Sequence, residues 1–225
     1  MQRQFSFSVG EYYHLYNRGI DKRDIFNDTS DYNRFLLLLY LCNSGDRVDI
    51  CNLFKEGQSF YKILGIDRGD DIVSIGVYVL MPNHFHILVK EISEGGISKF
   101  MGKLLTGYSM YFNKKYHRNG SLFGARFKAT HANLDEYLKY LFSYIHLNPI
   151  KLIDSNWKEN GISNKGSAER YLANYKYSSY LDYLGTQRLE NKLLNINHFP
   201  KYFNSSKDFN MFIQDWLSFS EGRSF

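Results

Sequence analysis

The spacing of hydrophobic residues along this chain predicts alternating strands and helices. Segments rich in Val, Ile, Tyr and Phe and bounded by turn residues predict strands at residues 12–17, 71–81 and 84–91. The Pro82-Asn83 pair separates the last two and predicts a hairpin turn. Apolar residues that recur every three or four positions predict helices at residues 30–43, 97–117 and 133–147.

Single residues predict where two of these helices begin. The sequence also predicts a terminal helix and a fourth strand. Ser30 is placed to cap the first helix, and Asn133 with Glu136 fits a capping box at the start of the third. The buried stripe of that third helix is predicted to contain Leu134, Leu138, Leu141 and Ile145. Residues 207–219 predict a terminal helix. A fourth strand is expected at residues 122–131 from the alternation of Phe123, Ala125, Phe127 and Ala129.

This order of elements predicts an α+β sandwich. One antiparallel sheet would carry helices on one face and leave its other face open. Residues 44–70 are polar and predict a loop or an excursion. No repeat or linker marks a second unit, so we expect one domain over residues 1–151, with residues 152–225 as a C-terminal extension packed on it.

Composition adds an excess of aromatic and basic residues to this picture. The 225 residues include 19 Tyr and 18 Phe, which fits an aromatic core or platforms that stack bases. The net charge is +5, and residues 101–151 hold eight basic and two acidic side chains. Such local density is typical of proteins that contact phosphates.

The same composition excludes several classes of protein. Cys42 and Cys51 form neither a disulfide framework nor a CxxC metal pair. The first residues lack the apolar core of a signal peptide, and no apolar run approaches the ~20 residues of a membrane span. A cytoplasmic protein is therefore expected.

Two histidines interrupt the second strand of the predicted hairpin. Side chains alternate between faces along a strand, so His84 and His86 share one face, about 7 Å apart, while Phe85 points to the other. Two imidazoles so placed can bind one metal ion and leave positions for a third protein ligand, water or substrate. The alternative is a pair of solvent-exposed or hydrogen-bonded histidines, and the triplet alone does not decide between them.

The end of the third predicted helix offers partners for these histidines. Tyr144 and Asn148 are four residues apart and therefore lie on one helical face. Tyr144 falls at the edge of the buried stripe, and Asn148 offers an amide oxygen that suits a divalent ion. His146 points to another side of the helix and is a poorer ligand. Ordinary packing is the alternative for Tyr144.

Five stretches that span most of the chain are YHLYNRGIDKRDIF, MPNHFHILV, GSLFGARFKA, YIHLNPIK and YKYSSYLDYLG. In sequence and in order they resemble the HUH single-tyrosine transposases. Within this family they are most similar to the REP-associated tyrosine transposases and their insertion-sequence relatives. This resemblance implies a ferredoxin-like, or RNA-recognition-like, sandwich. It also implies a metal-dependent nuclease that acts on single-stranded DNA beside a hairpin.

The resemblance implies a role for each residue of this set. His84 and His86 would be ligands of Mg²⁺ or Mn²⁺, and Asn148 would complete the metal site. Tyr144 would be the nucleophile. Its attack would leave a 5′-phosphotyrosine link that stores the bond energy for rejoining, which favours strand transfer over hydrolysis.

Basic residues near these blocks are predicted to contact the DNA backbone. Four follow the second long helix, two alternate with phenylalanines on the fourth strand, and one follows the first strand. They are Lys103, Lys114, Lys115, Arg118, Arg126, Lys128 and Arg18. A solvated helix face and ordinary core phenylalanines are the alternative. A nucleoid-associated protein is expected, and the choice between monomer and homodimer stays open.

Two other functions fit the same residues. A non-catalytic protein derived from such a transposase would bind hairpin or single-stranded nucleic acid without cleaving it. A metallohydrolase would use the HxH triplet, although the ILVK that follows His86 supplies no further Asp or His ligand. A denaturant-resistant adduct between protein and DNA separates the transposase from both.

Overall fold

A computed structural model of this chain describes residues 6–46, 52–53 and 59–218. Cys51, part of the predicted loop 44–70 and the end of the predicted helix 207–219 lie outside these residues. The described strands are β1 (Tyr12–Arg18), β2 (Val73–Met81), β3 (His84–Glu91) and β4 (Lys128–His131). The described helices are α1 (Thr29–Cys42), α2 (Phe60–Ile63), α3 (Gly96–Lys115), α4 (Asp135–Leu147), α5 (Trp157–Asn160), α6 (Lys165–Asn174), α7 (Tyr180–Tyr183) and α8 (Ser206–Leu217). None of them is long and apolar enough to cross a membrane.

The four strands form one antiparallel sheet in the order β2-β3-β1-β4. In β1, Tyr16 lies opposite His86 of β3 on one side and opposite Lys128 of β4 on the other. α1 connects β1 to β2, and α3 connects β3 to β4. This order of elements is the ferredoxin-like fold, so the predicted α+β class is confirmed.

α1 and α3 pack on one face of the sheet, as predicted. The alternation along β3 sends Phe85, Ile87 and Val89 to this face, where all three are fully buried. The ring of Phe85 lies 5.0 Å from that of Phe35 in α1. Truncation of a phenylalanine in such a layer costs about 3–5 kcal/mol, so Phe85→Ala would seriously weaken the contact between the sheet and α1.

The second face of the sheet, which the pattern predicted to be open, is covered by α4. Val79 and Leu88 point to this face and share an apolar cluster with Leu141 of α4. The helix lies there because its stripe of Leu138, Leu141 and Ile145 must be buried. The predicted open face is therefore wrong, whereas the predicted fold class is confirmed.

The predicted caps of two helices are wrong. Asp28, not Ser30, caps α1, because its carboxylate accepts hydrogen bonds from backbone N–H groups that include that of Ser30. The capping box from Asn133 does not form: α4 begins at Asp135 and has no side-chain cap. Leu134 therefore precedes the helix and is 65% exposed instead of joining the buried stripe.

The fourth strand is shorter than the alternation predicted. Only Lys128–His131 forms a regular strand, and residues 122–127 are irregular, with one isolated bridge at Phe123. Phe123 is buried near Phe85, whereas Ala125 is exposed. Residues that the pattern placed on one face therefore have different surroundings.

The C-terminal residues cover the outer edge of the sheet. β2 is an edge strand, and residues 177–179 run beside it with backbone hydrogen bonds, one from the Leu80 N–H to the Tyr177 carbonyl at 2.9 Å. Covering an edge removes unpaired backbone groups that would otherwise pair with another chain. Leu147 at the end of α4 packs in an apolar cluster with Leu172 of α6 and Phe209 of α8.

Candidate active site

β1 and β3 place three histidines side by side on the face of the sheet that α4 covers. His84 and His86 share this face, as the strand pattern predicts, and His14 comes from β1. The ring centroid of His86 lies 5.1 Å from that of His84 and 5.0 Å from that of His14. His14 and His86 are buried, and His84 is half-buried.

Hydrogen bonds determine which nitrogen of each histidine faces the site. Nδ1 of His84 lies 2.6 Å from Oδ1 of Asn83, so this nitrogen carries the proton. Nδ1 of His86 lies 2.8 Å from Nε2 of His14. With His86 donating and His14 accepting, Nε2 of both His84 and His86 keeps its lone pair. Within the described part of the chain, Nε2 of His86 has no hydrogen-bond partner.

Asn148 approaches these histidines from the end of α4. It is buried and has helical φ and ψ, so it continues the helix one turn beyond Tyr144. Its Oδ1 lies 3.4 Å from Nε2 of His84. Because His84 holds its proton on Nδ1, two atoms with lone pairs face each other across this gap.

Tyr144 stands over the histidines on α4. It is half-buried, and its ring centroid lies 5.5 Å from that of His86 and 5.9 Å from that of His14. Its hydroxyl makes no hydrogen bond to a described residue. Nζ of Lys158 in α5 lies 4.1 Å from the ring centroid of Tyr144. Lys158 is exposed as a residue, but desolvation of its ammonium group, and then the charge of Lys151, lowers its pKa to about 8.

Burial keeps the three histidines neutral at pH 7. Desolvation lowers the pKa of His14 and of His84 to about 4, with smaller contributions from the positive charges of Lys158 and Arg18 respectively. Desolvation, followed by the neighbouring His14, lowers the pKa of His86 well below its usual value. Neutral imidazoles are the form that binds metal ions.

The donor set fits a divalent metal ion with two nitrogen ligands and one oxygen ligand. The described residues contain no group of three or more His, Cys, Asp or Glu side chains arranged to hold a metal. The Asn148 amide oxygen lies beside His84 and is of a type that binds divalent ions. Two ligand atoms bound at right angles, each about 2.1 Å from an ion, lie about 3.0 Å apart. The 3.4 Å between His84 Nε2 and Asn148 Oδ1 is close to this separation.

Two of the basic residues predicted to contact DNA lie beside the histidines. Arg18 pairs with His84 across the strands, and Lys128 pairs with Tyr16, so both share the face of the site. Both side chains are exposed. Arg126 is also exposed, in the irregular segment that leads to β4.

The four remaining basic residues of that prediction lie in the other layer, near α3: Lys103, Lys114, Lys115 and Arg118. α3 packs on the face of the sheet away from the histidines. Lys115 forms ion pairs with Asp28 and Asp31, each at 2.7 Å, and thereby joins α3 to α1. Lys103 donates a hydrogen bond to a loop carbonyl at 2.9 Å, and Lys114 is exposed. Their contact with DNA stays a prediction, but it would not be made within this site.

Three residues of the site were not singled out from the sequence. Asn83 and His14 orient the two histidines of the triplet, and Lys158 lies over Tyr144. The period of two along β1 places His14 on the same face as Tyr16, but only the register with β3 shows which residue it meets. Lys158 comes from a part of the chain with no regular pattern.

Comparisons with known proteins concern the family resemblance and the fold. Residues 59–148, which include the histidine triplet, Tyr144 and Asn148, match the family model for IS200-like transposases. A solved structure of a REP-associated tyrosine transposase bound to a REP hairpin matches with a TM-score of 0.50 and 11% identity, over 84% of this chain and 89% of that chain. At this identity the likeness shows the fold alone. A comparison with curated proteins gave no match. The predicted resemblance and the predicted fold are thereby confirmed.

Proposed function

We propose that this chain, whose residues 59–148 match the IS200-like transposases, is a metal-dependent enzyme that cleaves single-stranded DNA beside a hairpin and transfers the strand. The observation that carries this proposal is the position of Tyr144, whose ring contacts His86 while Asn148 follows one helical turn later. A phenol beside two neutral imidazoles and an amide oxygen combines a nucleophile with a set of metal ligands.

The proposed reaction transfers a phosphoryl group to the hydroxyl of Tyr144. The phenol oxygen forms a bond to phosphorus, and the bond between phosphorus and the 3′ oxygen breaks. The phenol proton is lost to solvent, and the 3′ oxygen takes up a proton and leaves as a hydroxyl. The 5′-phosphotyrosine conserves the energy of the broken bond, so a second 3′-hydroxyl can displace Tyr144 and rejoin the strand.

Mg²⁺ or Mn²⁺ would be held by His84, His86 and Asn148. When bound, such an ion supplies positive charge that offsets the charge developing on the phosphate and the phenolate. Asn83 and His14 hold the Nδ1 atoms of the two histidines, which keeps both Nε2 atoms directed at the site.

Positive side chains surround the proposed nucleophile and would attract the DNA strand. Arg18 and Lys128 are exposed on the same face of the sheet, and Lys158 lies over the Tyr144 ring. The structurally similar transposase is bound to a REP hairpin, and we propose a DNA hairpin with an unpaired flank as the partner of this chain. The proposed nucleophile and the proposed ligands all come from one chain.

Incubation of end-labelled hairpin DNA with the protein and Mn²⁺ tests this function. The hairpin is first selected by binding from a library with randomised unpaired flanks. We expect a denaturant-resistant adduct that is absent in Tyr144→Phe and absent after chelation of the metal. Tyr137→Phe is the matched control on the same helix and should keep the adduct.

The other outcomes each support a different function. An adduct that persists in Tyr144→Phe would assign the nucleophile to another tyrosine. Hydrolysis with no adduct would indicate a metallohydrolase. Hairpin binding with neither product would indicate a non-catalytic nucleic-acid-binding protein.

A further inference from the structure

A cavity of about 210 Å³ opens beside Tyr144. α4 supplies one wall, α5 a second and α8 a third. The lining residues are Tyr140, Ser143, Tyr144, Leu147, Trp157, Lys158 and Trp216. The proposed reaction uses only Tyr144 and Lys158, so the aromatic remainder of the wall has no role in it.

Aromatic rings from three helices form much of this wall. Tyr140, Trp157 and Trp216 are half-buried, so each keeps part of its surface accessible. The ring centroids of Tyr140 and Trp216 lie 5.5 Å apart with planes inclined by 56°, which makes a corner of the cavity. Nζ of Lys158 lies 5.7 Å from the ring centroid of Trp157 and adds one positive charge. Ring faces with one cation suit a flat aromatic ligand that is attached to an anion.

The size of the cavity limits the ligand to a single ring system. Pockets for drug-sized ligands have volumes of about 300–1,000 Å³, so 210 Å³ admits about one purine or pyrimidine. Proteins that act on single strands commonly hold an unstacked base between aromatic side chains. Because Tyr144 belongs to the wall, a base held here would lie next to the proposed nucleophile.

We propose that this cavity binds one unpaired nucleobase of the DNA strand, in a nucleotide adjacent to the phosphate that Tyr144 attacks. The identity of the ligand rests on the proposed function. Trp157 and Trp216 stack on the base. The base held here then selects the cleavage position, in addition to the hairpin.

Removal of one base at a time from the unpaired flank tests this subsite. Binding of the selected hairpin and of its abasic copies is measured by fluorescence anisotropy, with Tyr144→Phe protein so that no cleavage intervenes. Stacking on an aromatic side chain is worth roughly 5- to 150-fold in affinity. We expect a loss of this size at one flank position, and no loss at that position once Trp157→Ala is added.

Two variants separate stacking from folding. Trp157→Phe keeps an aromatic ring and should retain most of the abasic loss at that position. Tyr61→Ala removes a ring that is 66% exposed on α2 and should leave the abasic profile unchanged. Thermal unfolding of every variant checks that the fold is intact.

The abasic profiles test the subsite, and adduct formation tests the proposed function, so each can be contradicted separately. Identical abasic profiles in Trp157→Ala, Trp216→Ala and the parent protein would overturn the subsite, even if wild-type protein forms the adduct. A single-position loss that depends on Trp157, without any adduct in wild-type protein, would keep the subsite and contradict the nuclease.

Discussion

The contact between His14 and His86 gives a direct test of how the proposed site holds its metal ligands. In His14→Phe a ring of similar size fills the same place, but Nδ1 of His86 loses the acceptor 2.8 Å away. The two side chains are only 5% and 7% exposed, so bulk water does not replace the lost acceptor.

Two effects of different size are expected from His14→Phe. A buried N–H without a partner lowers the free energy of unfolding by about 1–3 kcal/mol. For a chain of this size, each kcal/mol lowers Tm by roughly 2–4 °C. Loss of a group that orients a metal ligand typically lowers metal affinity by about 10–100-fold. His14→Gln keeps an acceptor and should recover part of both losses.

Calorimetric titration with Mn²⁺, beside thermal unfolding in the absence of metal, measures both effects. We expect the Kd for Mn²⁺ to rise about 10–100-fold in His14→Phe, and the rate of adduct formation to recover at saturating Mn²⁺. A folded His14→Phe protein with the wild-type Kd for Mn²⁺ would refute this role and leave His14 as a packing residue.

Three further changes test other parts of the structure. In the same titration, Asn148→Asp should bind Mn²⁺ at least as tightly as wild type, and Asn148→Leu should bind it more weakly, because an oxygen ligand is kept in the first and lost in the second. Lys158→Met should slow adduct formation roughly tenfold, which is less than the ~100-fold cost of losing an enclosed donor, because Lys158 is exposed. An unchanged rate would show that Lys158 takes no part in the reaction. Lys115→Met should lower the free energy of unfolding in urea by about 3 kcal/mol, since the fully buried Asp31 loses its cation, while Lys114→Met should stay within about 0.5 kcal/mol of wild type. The hydrogen bond from Lys115, followed by that from Ser30, lowers the pKa of Asp28 from 3.8 to about 2, so the stabilisation from these contacts is present above pH 3.8 and is lost as the pH falls through 2.

The elements and their order along the chain could be predicted because each element carries its own local pattern. In β3, Phe85 and Ile87 alternate with His84 and His86, and this alternation needs no information from elsewhere in the chain. The position of α4 could not be predicted in the same way. A stripe that includes Leu141 shows that the helix is buried on one side, but not which face of the sheet it covers.

The residues of the proposed site also differ in whether local patterns could predict their position. His84 with His86, and Tyr144 with Asn148, are pairs with short spacings that strand and helix geometry place on common faces. His14 is 72 residues from His86 in sequence, and their contact depends on the register of two strands that local patterns do not specify. The basic residues are divided between the two layers for a related reason, because charge density along the chain does not tell which layer a side chain joins.

The C-terminal extension belongs to the proposed site because α4 lies between it and the sheet. Leu141 packs in the cluster of the sheet, whereas His146 faces the extension, where its Nε2 lies 2.8 Å from Oγ of Ser179. Tyr144 is therefore held by contacts from both sides, and residues of the extension form the rest of the cavity beside it. The match to IS200-like transposases ends at residue 148, before Trp157, Lys158 and Trp216. If proteins with this fold and extension recognise different DNA flanks, we expect the differences to lie in the extension, because the histidine triplet belongs to the proposed metal site and not to the cavity.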